Sequence, residues 1–500
     1  MTMWRNLALE INDLFTYKER GFRLYPIHRT LHDIPPHPAD LYERLGWQGH
    51  GHFLLESGKM GECSFIGGDP FAVLIGKDQD VTWIHRGGHE HLLGNPLDIL
   101  KEKMAQYQAP RLPHLPKFRG GAVGMLSYDM IRYIERMPES TDDDLQTPDL
   151  YMLFVDELCV VDHRTGEVHL IVHLDLHADD LEAARAACEQ RLDELELQAR
   201  SGASRVPAFE QTTQGTGELE RSISEQDFCA AVEAVQEYIR AGDVFQVNLS
   251  VRQGRALGAA PYEIYRHLRE INPSPYSSYI HLPELQIVSS SPELLVGCRD
   301  GKVDTRPIAG TRARTGDDTR DRLMLEELRT NEKEIAEHIM LVDLERNDLG
   351  RVCRYGSVEV NELMVIEEYS HVYHIVSNVR GELAEGKDVY DLIRATFPGG
   401  TITGAPKIRT MEIIEELEPT RRGLYTGSIG WIDFDGDMEL NIVIRTLQVQ
   451  NGKGYVQAGA GIVIDSIPER EYKESLRKAK AVWVAIEAAE AKKREEEAAR

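Results

Sequence analysis

The sequence predicts a mixed α/β (α+β) chain. Short β-type runs and helical-period segments alternate along its whole length. Apolar residues (42%) and charged residues (28%) stand in ordinary globular proportion. The 500 residues suffice for a large core.

Residues 1–198 form an N-terminal portion of short strands and turns. Runs at 73–75, 152–155, 158–161 and 168–172 read as strands, with 162–166 as a hairpin turn between the last two. Leu181, Ala184, Ala187, Cys188, Leu192 and Leu195 recur near helical period, so 181–197 reads as a helix. Residues 199–221 are polar and small, a linker or exposed loop. Ser224 then reads as a helix N-cap, with Asp227 three residues on as in a capping box, and Phe228, Ala231, Val232 and Val235 share one face. Residues 222–486 are denser in strands and helices. Residues 487–500 contain only Ala, Glu, Lys and Arg and read as a solvated helical extension or charged tail.

Composition excludes several classes. Fifty-seven basic against 83 acidic residues leave a net charge of −26, which repels phosphates and argues against nucleic-acid binding. Six cysteines without C-x-x-C spacing suggest neither zinc nor a dithiol redox pair. No uncharged apolar run reaches the roughly 18 residues a membrane span needs. The first 17 residues contain Arg5, Glu10 and Asp13 and lack a signal-peptide core. The expectation is a cytoplasmic enzyme without a membrane partner.

Four constellations carry candidate chemistry. In NEKEIAEHIMLVDLERNDLG (331–350), read as a helix through about Val342, Glu334 and Glu337 share a face; Glu471 and Glu474 repeat the spacing in a second helix. Carboxylates from two helices suit magnesium, which takes few protein ligands and shares its shell with substrate and water; solvated faces show the same spacing. FPGGTITGAPKIRTM (397–411) is a Gly/Thr loop opening a helix with Pro406 at its first position, an anion site or an ordinary turn. Ala458-Gly459-Ala460-Gly461, between strand-like 455–457 and apolar 462–464, allows close backbone approach to a ligand, or marks a bulge or tight sheet packing. Arg445, in strand-like 441–446, is a carboxylate clamp or an edge residue. Finally, His371-Val-Tyr-His374 lacks zinc spacing and offers a general acid/base or a structural imidazole. No G-x-S-x-G elbow is present, so acyl-enzyme chemistry is not indicated.

In this order the segments resemble the chorismate-utilising enzymes, a family that includes anthranilate synthase component I, aminodeoxychorismate synthase component I and the isochorismate and salicylate synthases. The resemblance rests on GDVFQVNLS (242–250), NPSPY (272–276), SSPELL (290–295), RPIAGT (306–311), AEHIMLVDLERNDLGR (336–351), the 397–419 segment and QAGAGIVIDS (457–466). It implies one complex body of two packed β-sheets with helices outside, both portions forming one unit. It implies Glu337 and Glu474 as the main magnesium ligands, with Glu334 and Glu471 supporting them directly or through water. It implies substrate contacts from Tyr425, Arg445, Gly459, Ala460, Gly461 and Lys478, with Gly310 and Thr311 lining the ring. His374, Thr311, Gln246 and Glu334 are the implied catalytic set, His374 standing beside the departing hydroxyl.

Two positions choose among members. Water-activating relatives have a lysine base where this chain has Gln246, whose amide is not basic. Ammonia needs no base, so the chain resembles an ammonia user. Many 4-aminating members have a nucleophilic lysine at Ala309, and a methyl group cannot attack. Ala309 by itself resembles the 2-aminating anthranilate synthases. Gly400, Thr403 and 426–431 resemble the aminodeoxychorismate-forming side, which includes a P-I-A-G-T subgroup. The implied reaction is non-covalent 4-amination of chorismate toward 4-aminobenzoate and folate, with 2-amination the runner-up and an isochorismate-type isomerase or non-catalytic relative behind it. None of the cysteines fits a glutamine-hydrolysing elbow, so glutamine use implies a separate amidotransferase subunit. Leu54-Leu55-Glu56-Ser57 resembles the tryptophan-binding motif of anthranilate synthases, making Ser57, Pro275 and Tyr276 a tryptophan pocket or a buried strand end.

Overall fold

A computed structural model describes residues 11–47, 51–57, 62–202, 217–314, 316–368 and 372–499. Two 12-stranded sheets form the body. The first runs from Leu24–Leu31 through Glu167–Asp175, Glu157–Asp162, Cys63–Gly68, His52–Glu56, Tyr276–His281, Gln286–Ser291, Thr446–Gln450 and Lys453–Ile462 to Gln246–Ala256. Glu220–Arg221 and Gly404–Ala405 pair with that last strand. The second runs from Ile308–Ala313 through Val372–Glu382, Lys302–Thr305, Leu294–Arg299, Met438–Ile442, Ser428–Asp433, Gly121–Leu126, Leu150–Val155 and Ala72–Lys77 to the hairpin Asp80–His85 and Gly88–Leu93. Glu359–Glu368 pairs with Val372–Glu382. Neighbouring strands pair antiparallel. The expected two-sheet architecture is present, and both sheets mix strands from before residue 198 and after residue 222.

Sheet faces packed on each other alternate with faces packed on helices, the arrangement that buries both sides of a strand. Between the sheets, Phe65, Phe118 and Trp431 meet with Phe53, Leu153 and Ile287; the Phe118 and Trp431 rings stack at 4.9 Å. Each such side chain contributes roughly 1.5–3 kcal/mol through burial. The helices Pro38–Leu45, Leu181–Arg200, Pro261–Ile271 and Pro468–Ala499 cover the outer face of the first sheet.

Most sequence-read elements stand. Ser224 caps Glu225–Ala241, its hydroxyl accepting from the Asp227 amide at 3.1 Å. The reading of the tail as a helical extension stands as well: it is the last turns of the continuous helix Pro468–Ala499, held where buried Glu490 meets Arg255 and the Gly258 amide. Three others need correction. The helix bearing Glu334 and Glu337 does not stop near Val342 but continues to Gly350, because Leu349 buries under the second sheet. Pro406 is the N-cap of Lys407–Leu417, one position before the helix. The expected linker ends in the short strand Glu220–Arg221, while 203–216 lie outside the described residues.

Candidate active site

The site forms where the Gln246–Ala256 edge of one sheet meets the Ile308–Ala313 edge of the other. Helix Glu332–Gly350 brings Glu334 and Glu337; helix Pro468–Ala499 brings Glu471 and Glu474. Gln246 Nε2 donates to Glu337 Oε1 at 3.0 Å, and a Cβ on Gly461 would collide with that amide. From the other helix, Lys478 Nζ lies 3.1 Å from Glu474 Oε1 and donates to the Gly459 carbonyl at 3.0 Å. Both carboxylates therefore border the same glycine-bearing strand, each one residue removed from it. Glu334 is paired with Arg312 at 3.0 Å, and a Cβ on Gly310 would sit 3.0 Å from its Oε2. Gly310 also holds φ +69°, which favours glycine. Glu471 lies one turn before Glu474, half-buried. Among the described residues, no three His, Cys, Asp or Glu side chains gather into a metal-binding cluster.

Ala458 to Gly461 is not a bulge but tight sheet packing. It lies inside Lys453–Ile462, in unbroken register with Gln246–Ala256: Asn248 faces Gly461 and Ser250 faces Gly459. On the other side, Thr446–Gln450 pairs only as far as Val456. From Gln457 onward the strand has a partner on one side, so its outward amides face the site. The Tyr425 hydroxyl stands 3.0 Å from where a Gly459 Cβ would be. Arg445 is not in a strand: the chain leaves Met438–Ile442 in one sheet, crosses, and enters Thr446–Gln450 in the other. Arg445 occupies the crossing with φ +51°, and its carbonyl accepts from the Ser290 amide at 3.2 Å.

His374 pairs in register with Thr311 on one side and Glu367 on the other. The described residues include neither His371 nor the side-chain environment of Thr311. Burial, with the Arg445 charge beside it, lowers the His374 pKa to about 4 against a hydrogen bond to the Gly310 backbone. The imidazole is therefore neutral near pH 7.

One group was missed from sequence. Glu293, inside SSPELL, is 5% exposed. Burial raises its carboxyl to about 7, against the Thr401 hydroxyl, the Ile308 backbone and the charges of Arg445 and Lys478. Among the described residues, its Oε1 has no hydrogen-bond partner. A carboxyl held partly protonated and a histidine held neutral, both beside Arg445, are environments that push two titrations apart, a signature of acid/base assignment. The available signal was an acidic residue in an otherwise apolar strand entry.

Ser57, Pro275 and Tyr276 do come together. They line a small cavity of about 30 Å³ with Glu56, Phe65, Trp431 and Asn441. Glu56 is gripped by both ends of the Arg269 guanidinium, at 2.7 and 2.8 Å.

The profile of the chorismate binding enzyme family matches residues 50–483. The chain is 50% identical over 451 residues to aminodeoxychorismate synthase component 1 of Bacillus subtilis (strain 168), covering 90% of this chain and 94% of the relative. It is 42% identical over 480 residues to anthranilate synthase component 1 of Acetivibrio thermocellus, covering 94% and 97%. The crystal structure of anthranilate synthase component I from Streptococcus pneumoniae TIGR4 superposes with a TM-score of 0.74 at 36% identity, over 85% of this chain and 92% of that one.

Proposed function

The chain belongs to the chorismate binding enzyme family, and on that premise we propose that it converts chorismate and ammonia to 4-amino-4-deoxychorismate and water. The observation that carries the choice is the 50% identity, over nine-tenths of the chain, to an aminodeoxychorismate synthase component 1.

The residues supply the chemistry as follows. Arg445, Tyr425 and the outward amides of Gly459 to Gly461 hold the substrate carboxylates. Gly310 and Thr311 border the ring. Ammonia forms a bond to C2 as the ring double bonds shift and the C4–O bond breaks. Glu293 gives its proton to the leaving hydroxyl, which departs as water, and neutral His374 hydrogen-bonds that hydroxyl. The proton shed by the new ammonium group restores the acid. A second ammonia then bonds to C4, and the C2 amine leaves with a proton. Ala309 offers no nucleophile, so no covalent enzyme intermediate forms there. Gln246 holds the nucleophile's place without acting as a base.

Glu337 and Glu474 fit magnesium: they are oxygen donors on two helices, backed by Glu334 and Glu471, with room in the shell for substrate and water. The ion, when bound, supplies positive charge to the ring carboxylate as a Lewis acid. In this structure Lys478 neutralises Glu474, the charge that the ion would supply there, and Lys478 would then be available to a substrate carboxylate. A separate glutamine amidotransferase subunit supplies ammonia, consistent with relatives named as component 1. Free ammonium serves the isolated chain.

The test is a product assay with chorismate, magnesium and ammonium, followed by aminodeoxychorismate lyase. 4-Aminobenzoate is expected. Anthranilate fluorescence without 4-aminobenzoate would establish the second reading, which Ala309 favours.

A further inference from the structure

On the strand Gln246–Ala256 alternate residues face opposite ways. Val247, Leu249 and Val251 pack with Ala460 and Ile462 against the helices Glu225–Ala241 and Lys407–Leu417. Asn248, Ser250 and Arg252 face the opposite way, with Gly461, Gly459 and Gln457 opposite them in register. An inward sheet face is ordinarily apolar. This one is lined with amides.

The orientation of the Gln246 and Gln457 amides is fixed by what they touch. Gln246 Nε2 points at a carboxylate, which only accepts, so its Oε1 points elsewhere. Glu418 is ion-paired with buried Arg422 at 2.8 Å, and Ser250 Oγ lies 2.8 Å from the same carboxylate. The serine proton therefore goes to Glu418. Its lone pair receives Gln457 Nε2 at 2.8 Å, which turns Gln457 Oε1 away. Gln246 Oε1, Gln457 Oε1 and Asn248 Oδ1 are all buried, and among the described residues none has a hydrogen-bond donor. Gln246, Asn248 and Gln457 are 4%, 7% and 7% exposed. Leaving one such acceptor unmet costs about 1–3 kcal/mol, so three on one face call for a donor-rich guest. Chorismate, with two carboxylates, brings mainly acceptors. Ammonia brings three N–H donors and ammonium four.

We propose that Asn248 and Gln457 form an ammonia subsite on this inward face, from which the nucleophile passes to Gln246. The proposal rests on the amination reading above and extends it to residues that reading does not use. A cavity of about 20 Å³, room for one molecule the size of water or ammonia, adjoins Gln457, Arg252, Arg422 and Tyr455, and Tyr425 lines it as well as approaching Gly459. The subsite thus abuts the place assigned to chorismate. Its charges cancel in pairs, Arg422 with Glu418 and Arg252 with Asp144, so neutral ammonia enters without an electrostatic penalty.

The test is steady-state kinetics of the full chain with ammonium chloride and chorismate. Gln457→Met and Asn248→Leu each raise the KM for ammonium about tenfold, the scale of one lost hydrogen bond, and leave the KM for chorismate unchanged. Asn248→Asp keeps the acceptor and restores the ammonium KM. An unchanged ammonium KM in both apolar variants would mean that water satisfies these oxygens, and overturns the subsite. Parallel rises in both KM values would mean a packing role, and overturn it too. Should Gln457→Met fail to fold, the Leu and Asp variants at 248 decide. A wild-type chain that makes no amino product from ammonium sinks the functional reading itself; a normal wild type with unmoved variants sinks only the subsite.

Discussion

Gln246 donates to Glu337 across 3.0 Å, joining a strand of the first sheet to the helix that bears the proposed metal ligands. The amide nitrogen steadies a carboxylate, and in the proposed reaction its oxygen would face the nucleophile. Gln246→Leu removes both and lowers kcat/KM for ammonium by about 10- to 100-fold, as expected for two lost hydrogen bonds. The same variant needs more magnesium for half-maximal rate. A loss of ammonium use without any change in the magnesium requirement would show that the contact to Glu337 is incidental.

Glu337→Gln and Glu474→Gln each keep size and lose charge. Each lowers turnover by about two orders of magnitude, the scale of several kcal/mol of charge stabilisation. Magnesium titrations of both variants should saturate at higher concentration. Because Lys478 bonds Glu474 in this structure, Lys478→Ala should tighten magnesium while weakening chorismate.

The pH dependence follows Glu293 and His374. Glu293 gives a proton, so at constant free ammonia the rate falls as pH rises through about 7, where its carboxyl ionises. His374 must stay neutral, which its pKa of about 4 secures across the neutral range. Glu293→Gln removes the alkaline limb and slows turnover by about 10²- to 10⁴-fold. An unaltered limb in that variant would assign the acid elsewhere.

Glu345 makes a stability prediction. Thr305 Oγ1 lies 2.8 Å from the Leu295 carbonyl and 2.8 Å from Glu345 Oε2. One hydroxyl has one proton and the carbonyl only accepts, so both bonds form when Glu345 is itself protonated and donates. Burial, with Asp348 nearby, raises its carboxyl from 4.5 to about 8. A raised folded-state pKa means stability fully present below the unfolded value and lost as pH rises through about 8. Glu345→Gln imitates the protonated acid. Thermal melts should match wild type at pH 5 and exceed it at pH 8. Glu345→Leu strands the Thr305 lone pair and costs about 1–3 kcal/mol at pH 5.

What was legible in the sequence was local. Period and turn chemistry placed Leu181–Arg200 and the Ser224 cap, since those depend on neighbours a few residues away. Paired glutamates could be put on helix faces but not brought to one strand, because Lys478 and Gln246 make that link through tertiary contacts. The straight passage of the strand through Gly459 and Gly461 was hidden: small residues resemble a loop until Asn248 and Gln246 are seen filling the space above them. Arg445 looked like a strand residue because the apolar residues around it belong to two strands of different sheets. Glu293 passed unnoticed because its setting is tertiary: Thr401, Arg445 and Lys478, which act on its carboxyl, lie more than 100 residues away in sequence.

The interleaving of the sheets has a consequence during synthesis. Gly121–Leu126 pairs on one side with Ser428–Asp433, and His52–Glu56 with Tyr276–His281. At translation rates of about 5–20 residues per second, the first of these strands waits on the order of tens of seconds for its neighbour to emerge. Throughout that interval an apolar strand edge stands open on the ribosome. A nascent chain stopped before residue 428 should therefore recruit chaperones or aggregate, and neither half, expressed alone, should be recovered folded.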